Sequence, residues 1–273
     1  MILFYGMGGG FGHLTRIKTF IQNQKITTPF KVITTNPKAD RFFTDDQRIE
    51  ITADKDMTKS QLRDSIQIAI ADFNVEEWYI DTFPCGILGE LDTSIISPSN
   101  CHYLARRIHW DAYRMLVNNQ LKFKRTFCFE PLTSDHQKFI QSSSQKVLRT
   151  TLRYPSPQPI SHKVLHLKKP LWLIIHTTYK EEINLLLDHA MDIANIQKCT
   201  PQFVVLTDQP MELPDDIILM SNQNAIDWFP HAHKIISAAG FNTWYQLASW
   251  RDKHICLPFK RRYDDQFWRS STN

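Results

Sequence analysis

Met1-Ile-Leu-Phe-Tyr-Gly-Met-Gly-Gly-Gly-Phe-Gly-His13 opens the chain and decides how the rest of it is read. The uncharged run Met1–Tyr5 predicts a short buried strand. Past the glycines, Leu14, Ile17, Phe20 and Ile21 fall on one face of a helix. The protein has only eight glycines in 273 residues, and five of them (Gly6, Gly8, Gly9, Gly10 and Gly12) lie in this one loop. A chain so sparing with glycine that gathers it between a strand and a helix needs close backbone approach there. Backbone N–H groups and the helix N-terminus make such a turn a natural anion site. A tight structural turn is the plainer alternative. No register gives the dinucleotide pattern G-x-G-x-x-G, and no Gly-Lys-Ser/Thr follows to make a P-loop.

The same strand–helix rhythm continues outward. Strands are expected at Phe30–Thr35, Ile49–Thr52, Trp78–Asp81, His102–Ala105 and Thr126–Phe129, with a helix carrying Leu62, Ile66, Ala69 and Phe73 on one face. Pro155, Pro157 and Pro159 mark a linker between Tyr154 and Ser161. The alternation then restarts. Strands are expected at Leu171–Ile175, Phe203–Leu206, Ile217–Met220, Lys234–Ser237 and His254–Leu257, and a helix is lined by Ile183, Leu186, Leu187, Ala190 and Ala194. Two runs of one βαβ rhythm predict two Rossmann-like α/β domains with parallel sheets, residues 1–155 and 163–273.

Composition narrows the function. A net charge of +4 suits an anionic small molecule and does not call for a nucleic-acid groove. Five cysteines without paired spacing argue for a reducing compartment, so a cytoplasmic protein is expected. No apolar run reaches the ~18–20 residues of a membrane span. His231-Ala-His233 lacks further ligands at zinc spacing, and Asp54-Lys55-Asp56 reads as a solvated lead-in to a helix; no metal and no cofactor are expected. Arg106-Arg107 and Lys260-Arg261-Arg262 follow expected strand ends, where they could contact phosphate or simply be solvated.

His13 opens the first helix, where the dipole lowers imidazole basicity and favours a neutral ring that can act as a base. Asp81 ends the fourth strand. In a doubly wound sheet, strands one and four flank the switch point, so the two side chains can meet and form a dyad for deprotonating a hydroxyl or water. Asp81 could instead cap a loop or pair with an arginine.

Tyr5-Gly-Met-Gly-Gly-Gly-Phe-Gly-His-Leu-Thr-Arg16 and Asp81-Thr-Phe-Pro-Cys-Gly-Ile-Leu-Gly-Glu90 together resemble GT-B glycosyltransferases related to the peptidoglycan lipid-linked N-acetylglucosaminyltransferase (family 28-like), in a branch with a Gly-His-x-Thr-Arg signature. Ser237-Ala-Ala-Gly-Phe-Asn-Thr-Trp-Tyr-Gln246 and Leu257-Pro-Phe259 resemble the donor half of that family. The resemblance implies a GT-B fold, two domains facing across a cleft. It implies catalysis by His13 with Asp81, and an anion or acceptor loop of Gly8, Gly9, Gly10, Gly12 and Arg16. Donor binding would fall to Thr177, Thr178, Gly240, Asn242, Thr243, Gln246, Asp265 and Gln266. The implied reaction moves a sugar from a nucleotide-sugar donor, a UDP-sugar by resemblance, to a saccharide or lipid-linked acceptor without metal.

The departures fall on the donor side. Gln246 stands where the family has a carboxylate for the ribose, and an amide is a weaker acceptor. Ile175-His-Thr-Thr-Tyr-Lys180 replaces a glycine-rich phosphate turn, and Arg251-Asp-Lys253 replaces a Gly-x-Pro. Family members also continue beyond the position of Asn273. Two alternatives therefore stay open. One is a UDP-sugar hydrolase, since Gly-Phe-Gly-His also resembles the hydrolases of nonulosonic-acid synthesis; the other is a GT-B-like binding protein without turnover.

Overall fold

The structure, a computed structural model, describes all residues except Ala53, Lys55, Asn119, Leu167 and Asn273. The middle residue of the Asp54–Asp56 run thus lies outside the described residues. The chain divides into two compact units, Met1–Arg153 with Arg262–Asp265, and Tyr154–Arg261 with Gln266–Asn273. The short segment 262–265 groups with the first unit although both its neighbours in sequence group with the second.

In the first unit β1 (Ile2–Tyr5) leads through the glycine loop into α1 (Gly12–Asn23). The strands β2 (Phe30–Thr34), β3 (Arg48–Glu50), β4 (Glu77–Asp81), β5 (Cys101–Ala105), β6 (Arg125–Cys128) and β7 (Val147–Arg149) complete a seven-stranded sheet. Its order is β3-β2-β1-β4-β5-β6-β7, and every pairing is parallel. The helices are α1, α2 (Lys59–Ile70), α3 (Trp110–Tyr113) and α4 (Ser134–Ser143). A capping box starts α2: Gln61 N–H donates to Thr58 Oγ1 and Thr58 N–H donates to Gln61 Oε1. Leu62 and Ile66 are buried on its inner face, while Phe73, expected on that face, lies past the helix end. One side of the sheet packs Leu3, Tyr5, Ile33, Trp78 and Ile80 into an apolar core. Phe4 stacks on Tyr79, and Phe20 packs edge-on to Phe127.

The sequence reading missed β7. Val147 and Arg149 are exposed, and the strand has three residues, so it carries no apolar run to recognise. It pairs only with β6, at the sheet edge.

In the second unit β8 (Leu171–Ile175), α5 (Lys180–Ile196), β9 (Gln202–Leu206), β10 (Ile218–Met220), α6 (Ala225–Trp228), β11 (Lys234–Ser237), α7 (Phe241–Gln246), β12 (His254–Cys256) and α8 (Gln266–Ser270) follow in turn. The five strands are parallel in the order β10-β9-β8-β11-β12. All five residues expected on the inner face of α5 are buried. In each sheet the strand order reverses beside the first strand, between β1 and β4 and between β8 and β11. Each reversal leaves a crevice beyond the C-terminal strand ends where ligands of such sheets bind.

Candidate functional site

At the first reversal point the structure brings Gly8, His13, Arg16 and Asp81 together. Asp81 is the last residue of β4 and is fully buried. His13 Nδ1 lies 2.6 Å from Asp81 Oδ2. Arg16, one turn along α1 and almost fully buried, donates from Nε to Oδ1 and from Nη2 to Oδ2, both at 2.6 Å. Asp81 thus contacts a histidine and pairs with an arginine at the same time.

Burial by itself would raise the Asp81 pKa. The charge of Arg16 and the bonds from His13 and Arg16 outweigh that, and hold the carboxyl well below its usual range. An ionised carboxylate only accepts hydrogen bonds, so the Nδ1 facing it carries the ring proton. Nε2 is then the lone-pair nitrogen of neutral His13. Burial lowers the His13 pKa, the bond and charge of Asp81 oppose this, and Arg16 and Arg106 reinforce it; the net direction is down. That direction favours the neutral ring.

The glycine loop explains how the ring is seated. Gly8 has φ +151°, and a Cβ there would lie 2.8 Å from His13 Cδ2 and 2.9 Å from Nε2. Only a residue without a side chain lets the imidazole lie against the loop. Gly6 admits Ile17 Cδ1 of α1 in the same way. A Cβ on Gly9 or Gly10 would meet nothing within 4 Å, so these two face open space. Gly12 is the first residue of α1, whose N-terminus has no side-chain cap and no acidic residue in its first turn. A helix start without a carboxylate is electrostatically suited to an anion.

Beyond β4, Glu90 is fully buried. It accepts hydrogen bonds from Tyr5 OH and from Leu88 N–H. Burial pushes its pKa up against those bonds. Gly86, at φ +86°, passes so close to this carboxylate that any Cβ would strike it. Glu90 thus pins the loop that follows Asp81. Arg106, read as a phosphate candidate, donates to Thr82 Oγ1 at 3.1 Å and pairs with Asp264. Thr82 and Asp264 carried no sequence signal.

At the second reversal point Thr177 and Thr178 are exposed past β8, and Gly240, Asn242 and Thr243 follow β11. The strands they follow are neighbours in the sheet. Gln209 Nε2 donates to the Thr177 carbonyl at 3.1 Å, and Asn242 Oδ1 accepts from Tyr154 OH at 2.9 Å. Gly240 caps α7 at φ −63°, and a Cβ there would meet nothing within 4 Å. Gln246 ends α7, partly exposed. Gln266 is buried and accepts from Phe259 N–H at 3.0 Å. Its neighbour Asp265 belongs to the first unit, where it takes Arg107 Nε at 2.7 Å.

Two features here escaped the sequence reading. Glu181 and Glu182 occupy the first turn of α5, and Arg261 grips both oxygens of Glu182. His176 Nε2 lies 2.7 Å from the same carboxylate; burial lowers its pKa although Glu182 pulls the other way. Arg251, in the run that departs from Gly-x-Pro, stacks 3.5 Å over the Trp244 ring and donates to His254 Nδ1 and the Trp244 carbonyl. That arginine braces α7 from its C-terminal side. His233 Nδ1 accepts from Leu171 N–H, which gives the His231–His233 pair a backbone role. Among the described residues no cluster of three or more His, Cys, Asp or Glu could hold a metal, and no helix is long and apolar enough to cross a membrane.

No family model matches the sequence, and no curated protein matches it. Solved structures do resemble it. The UDP complex of S. aureus MnaA aligns over 96% of this chain and 80% of its own, with a TM-score of 0.61 at 10% identity. The UDP-N-acetylglucosamine 2-epimerase of Rickettsia bellii aligns over 96% and 79%, with a TM-score of 0.59 at 9% identity. The glycosyltransferase SnogD of Streptomyces nogalater aligns over 94% and 82%, at 0.50 and 10%. The fold is that of the GT-B enzymes. These neighbours act by different reactions, so the likeness carries the architecture and leaves chemistry to the site.

Proposed function

We propose that the chain is a glycosyltransferase that uses a nucleotide-sugar, UDP-linked by analogy with its structural neighbours, and needs no metal. Kinship with the peptidoglycan lipid-linked N-acetylglucosaminyltransferase branch is part of this reading, which rests on the motifs around His13 and Asp81. The observation that carries it is the 2.6 Å contact between His13 Nδ1 and Asp81 Oδ2, with that carboxylate locked by Arg16.

In this reading His13 Nε2 takes the proton of an acceptor hydroxyl as its oxygen attacks the anomeric carbon. The bond from that carbon to the nucleoside diphosphate breaks, and the diphosphate leaves with the electron pair. Asp81 stabilises the imidazolium that forms. The loop of Gly8, Gly9, Gly10 and Gly12 with Arg16 would hold an anionic part of the acceptor, a saccharide or a lipid-linked one. Thr177, Thr178, Gly240, Asn242, Thr243, Gln246 and Gln266 are the proposed donor contacts, and Asp265 joins them only by giving up Arg107. Residues 1–155 would then serve the acceptor and 163–273 the donor, in a protein of the cytoplasm.

One observation favours a second reading, a binding protein without turnover. Glu181 and Glu182 sit at the helix start where a diphosphate would be expected, and carboxylates there repel it.

The test is turnover of UDP-, GDP- and dTDP-sugars without metal, with and without a panel of saccharide acceptors, alongside binding of each nucleotide. His13→Ala should lower turnover by about 10²–10⁴-fold and leave nucleotide affinity unchanged. Release of free sugar without any acceptor would move the assignment to hydrolysis. The absence of both turnover and nucleotide binding would favour the binding protein, and full turnover in His13→Ala would end the base assignment.

A further inference from the structure

Thr82 follows the aspartate of the proposed dyad and is fully buried at φ +68°. A β-branched residue in the left-handed region is strained, and it persists only where its surroundings over-determine it. Glycine would make this turn at no steric cost. A threonine here therefore points to a use for its side chain.

Every polar group of Thr82 is engaged. Its N–H donates to the Leu104 carbonyl at 3.0 Å, and its own carbonyl accepts from Tyr103 OH at 2.7 Å. Tyr103 OH in turn meets His136 Nε2 at 3.0 Å, and the His136 ring stacks on Trp110 at 4.1 Å. The Thr82 hydroxyl oxygen accepts from Arg16 Nη2 at 2.8 Å and from Arg106 Nε at 3.1 Å, and its proton is directed at Asp81 Oδ2, 3.2 Å away. Asp81 Oδ2 thus receives three donors: His13 Nδ1, Arg16 Nη2 and the Thr82 hydroxyl.

We propose that Thr82 is the positioning residue of the His13–Asp81 dyad, its hydroxyl fixing the rotation of the Asp81 carboxylate so that Oδ2 faces His13. The hydroxyl also gives Arg16 Nη2 a second acceptor beside Asp81. Through Arg106 the same hydroxyl is tied to Asp264. The charged groups that face His13 are then Asp81 at the end of β4, Arg16 on α1 and Arg106 after β5. Thr82 is the uncharged hinge among the three.

This inference rests on the proposed dyad, but its test does not require turnover. The His13 ring is titrated by NMR in histidine-labelled protein without ligand, its resonance assigned by its loss in His13→Gln. Thr82→Ser keeps the hydroxyl and should keep the wild-type midpoint. Thr82→Val and Thr82→Gly remove it. Without it the Asp81 carboxylate turns more freely, Oδ2 faces His13 less well and stabilises the imidazolium less, so the midpoint should fall by about half a pH unit. A rise would show a hydroxyl that competes for Oδ2 rather than positions it, and overturns the proposal. Thr82→Gly suits the φ of the turn, so it reports even if Thr82→Val does not fold. A Thr82→Gly midpoint equal to wild type, or a Thr82→Ser midpoint displaced as far as that of Thr82→Gly, overturns the proposal. If the expected pattern appears in a chain that turns over no sugar nucleotide, the positioning role stands and the transferase reading falls.

Discussion

The β1–α1 loop and the β8–α5 loop each leave the first strand of a parallel sheet, turn at the point where strand order reverses, and enter a helix. The first holds four glycines, with a fifth opening α1, and no carboxylate up to the end of the first helical turn. The second, His176-Thr-Thr-Tyr179, holds no glycine and runs into Glu181 and Glu182. One loop is stripped of side chains so that a histidine can lie against it; the other is filled, and its helix start is already matched to an internal cation, Arg261. The same topology thus supplies two crevices with opposite electrostatic treatment. The first crevice holds the proposed His13–Asp81 dyad, and a donor in the second would meet the carboxylates of Glu181 and Glu182.

Four substitutions break or sharpen that contrast. The largest effect belongs to Asp81→Ala, which leaves the buried Arg16 without its carboxylate. Removing one partner of such a pair costs about 3–5 kcal/mol, measurable by urea unfolding near neutral pH. Because the folded-state pKa of Asp81 lies below its unfolded value of about 3.9, its contribution is present above that pH and is lost as the pH falls through the folded value. The variant should therefore start less stable than wild type and lose less on acidification below about pH 4. Equal acid profiles would mean that the pairing does not hold this carboxylate ionised.

Gly8→Ala comes next. Its Cβ meets the His13 ring and its φ disfavours a side chain, so a loss of about 1–3 kcal/mol is expected, together with lost turnover. Gly240→Ala, the matching change in the second unit, should stay within about 0.5 kcal/mol. Similar losses at both positions would erase the difference between the two loops.

Glu182→Gln is expected to have a small effect, read in binding. Removing a carboxylate from the start of α5 should raise affinity for UDP by about two- to fivefold, the equivalent of 0.3–1 kcal/mol for a charge at a helix terminus. Isothermal titration reads this directly. Unchanged affinity would mean that the phosphates do not approach α5.

Much of this architecture is legible because strands buried on both faces read as unbroken apolar runs. Leu171–Ile175 and Lys234–Ser237 match their strands residue for residue. Most other ends move by one or two residues, where polar flanks blur the boundary. His13 and Asp81 are legible as a pair because strand order alone makes the ends of β1 and β4 neighbours. Thr82 is not, since its conformation and its five partners exist only once β4, β5 and α1 have assembled. Glu182 is hidden for a related reason: in sequence it is an ordinary acidic residue in a first helical turn, and its partner Arg261 lies far along the chain. Asp265 and Gln266 are adjacent in sequence yet fall in different units, a division that local pattern does not reveal.

That division has a consequence for anyone who would take the molecule apart. Tyr263, Asp264 and Asp265 are structural members of the first unit: His109 N–H donates to the Tyr263 carbonyl, Ile108 bridges Asp264, and Arg106 and Arg107 take the two carboxylates. A gene fragment encoding only residues 1–153 would omit this borrowed tetrapeptide, and one encoding the remainder would carry it without its docking surface. The two halves are interleaved rather than consecutive, so neither a single proteolytic nick in the proline-rich linker nor a simple exchange of modules between homologues would yield a first half with all of its parts.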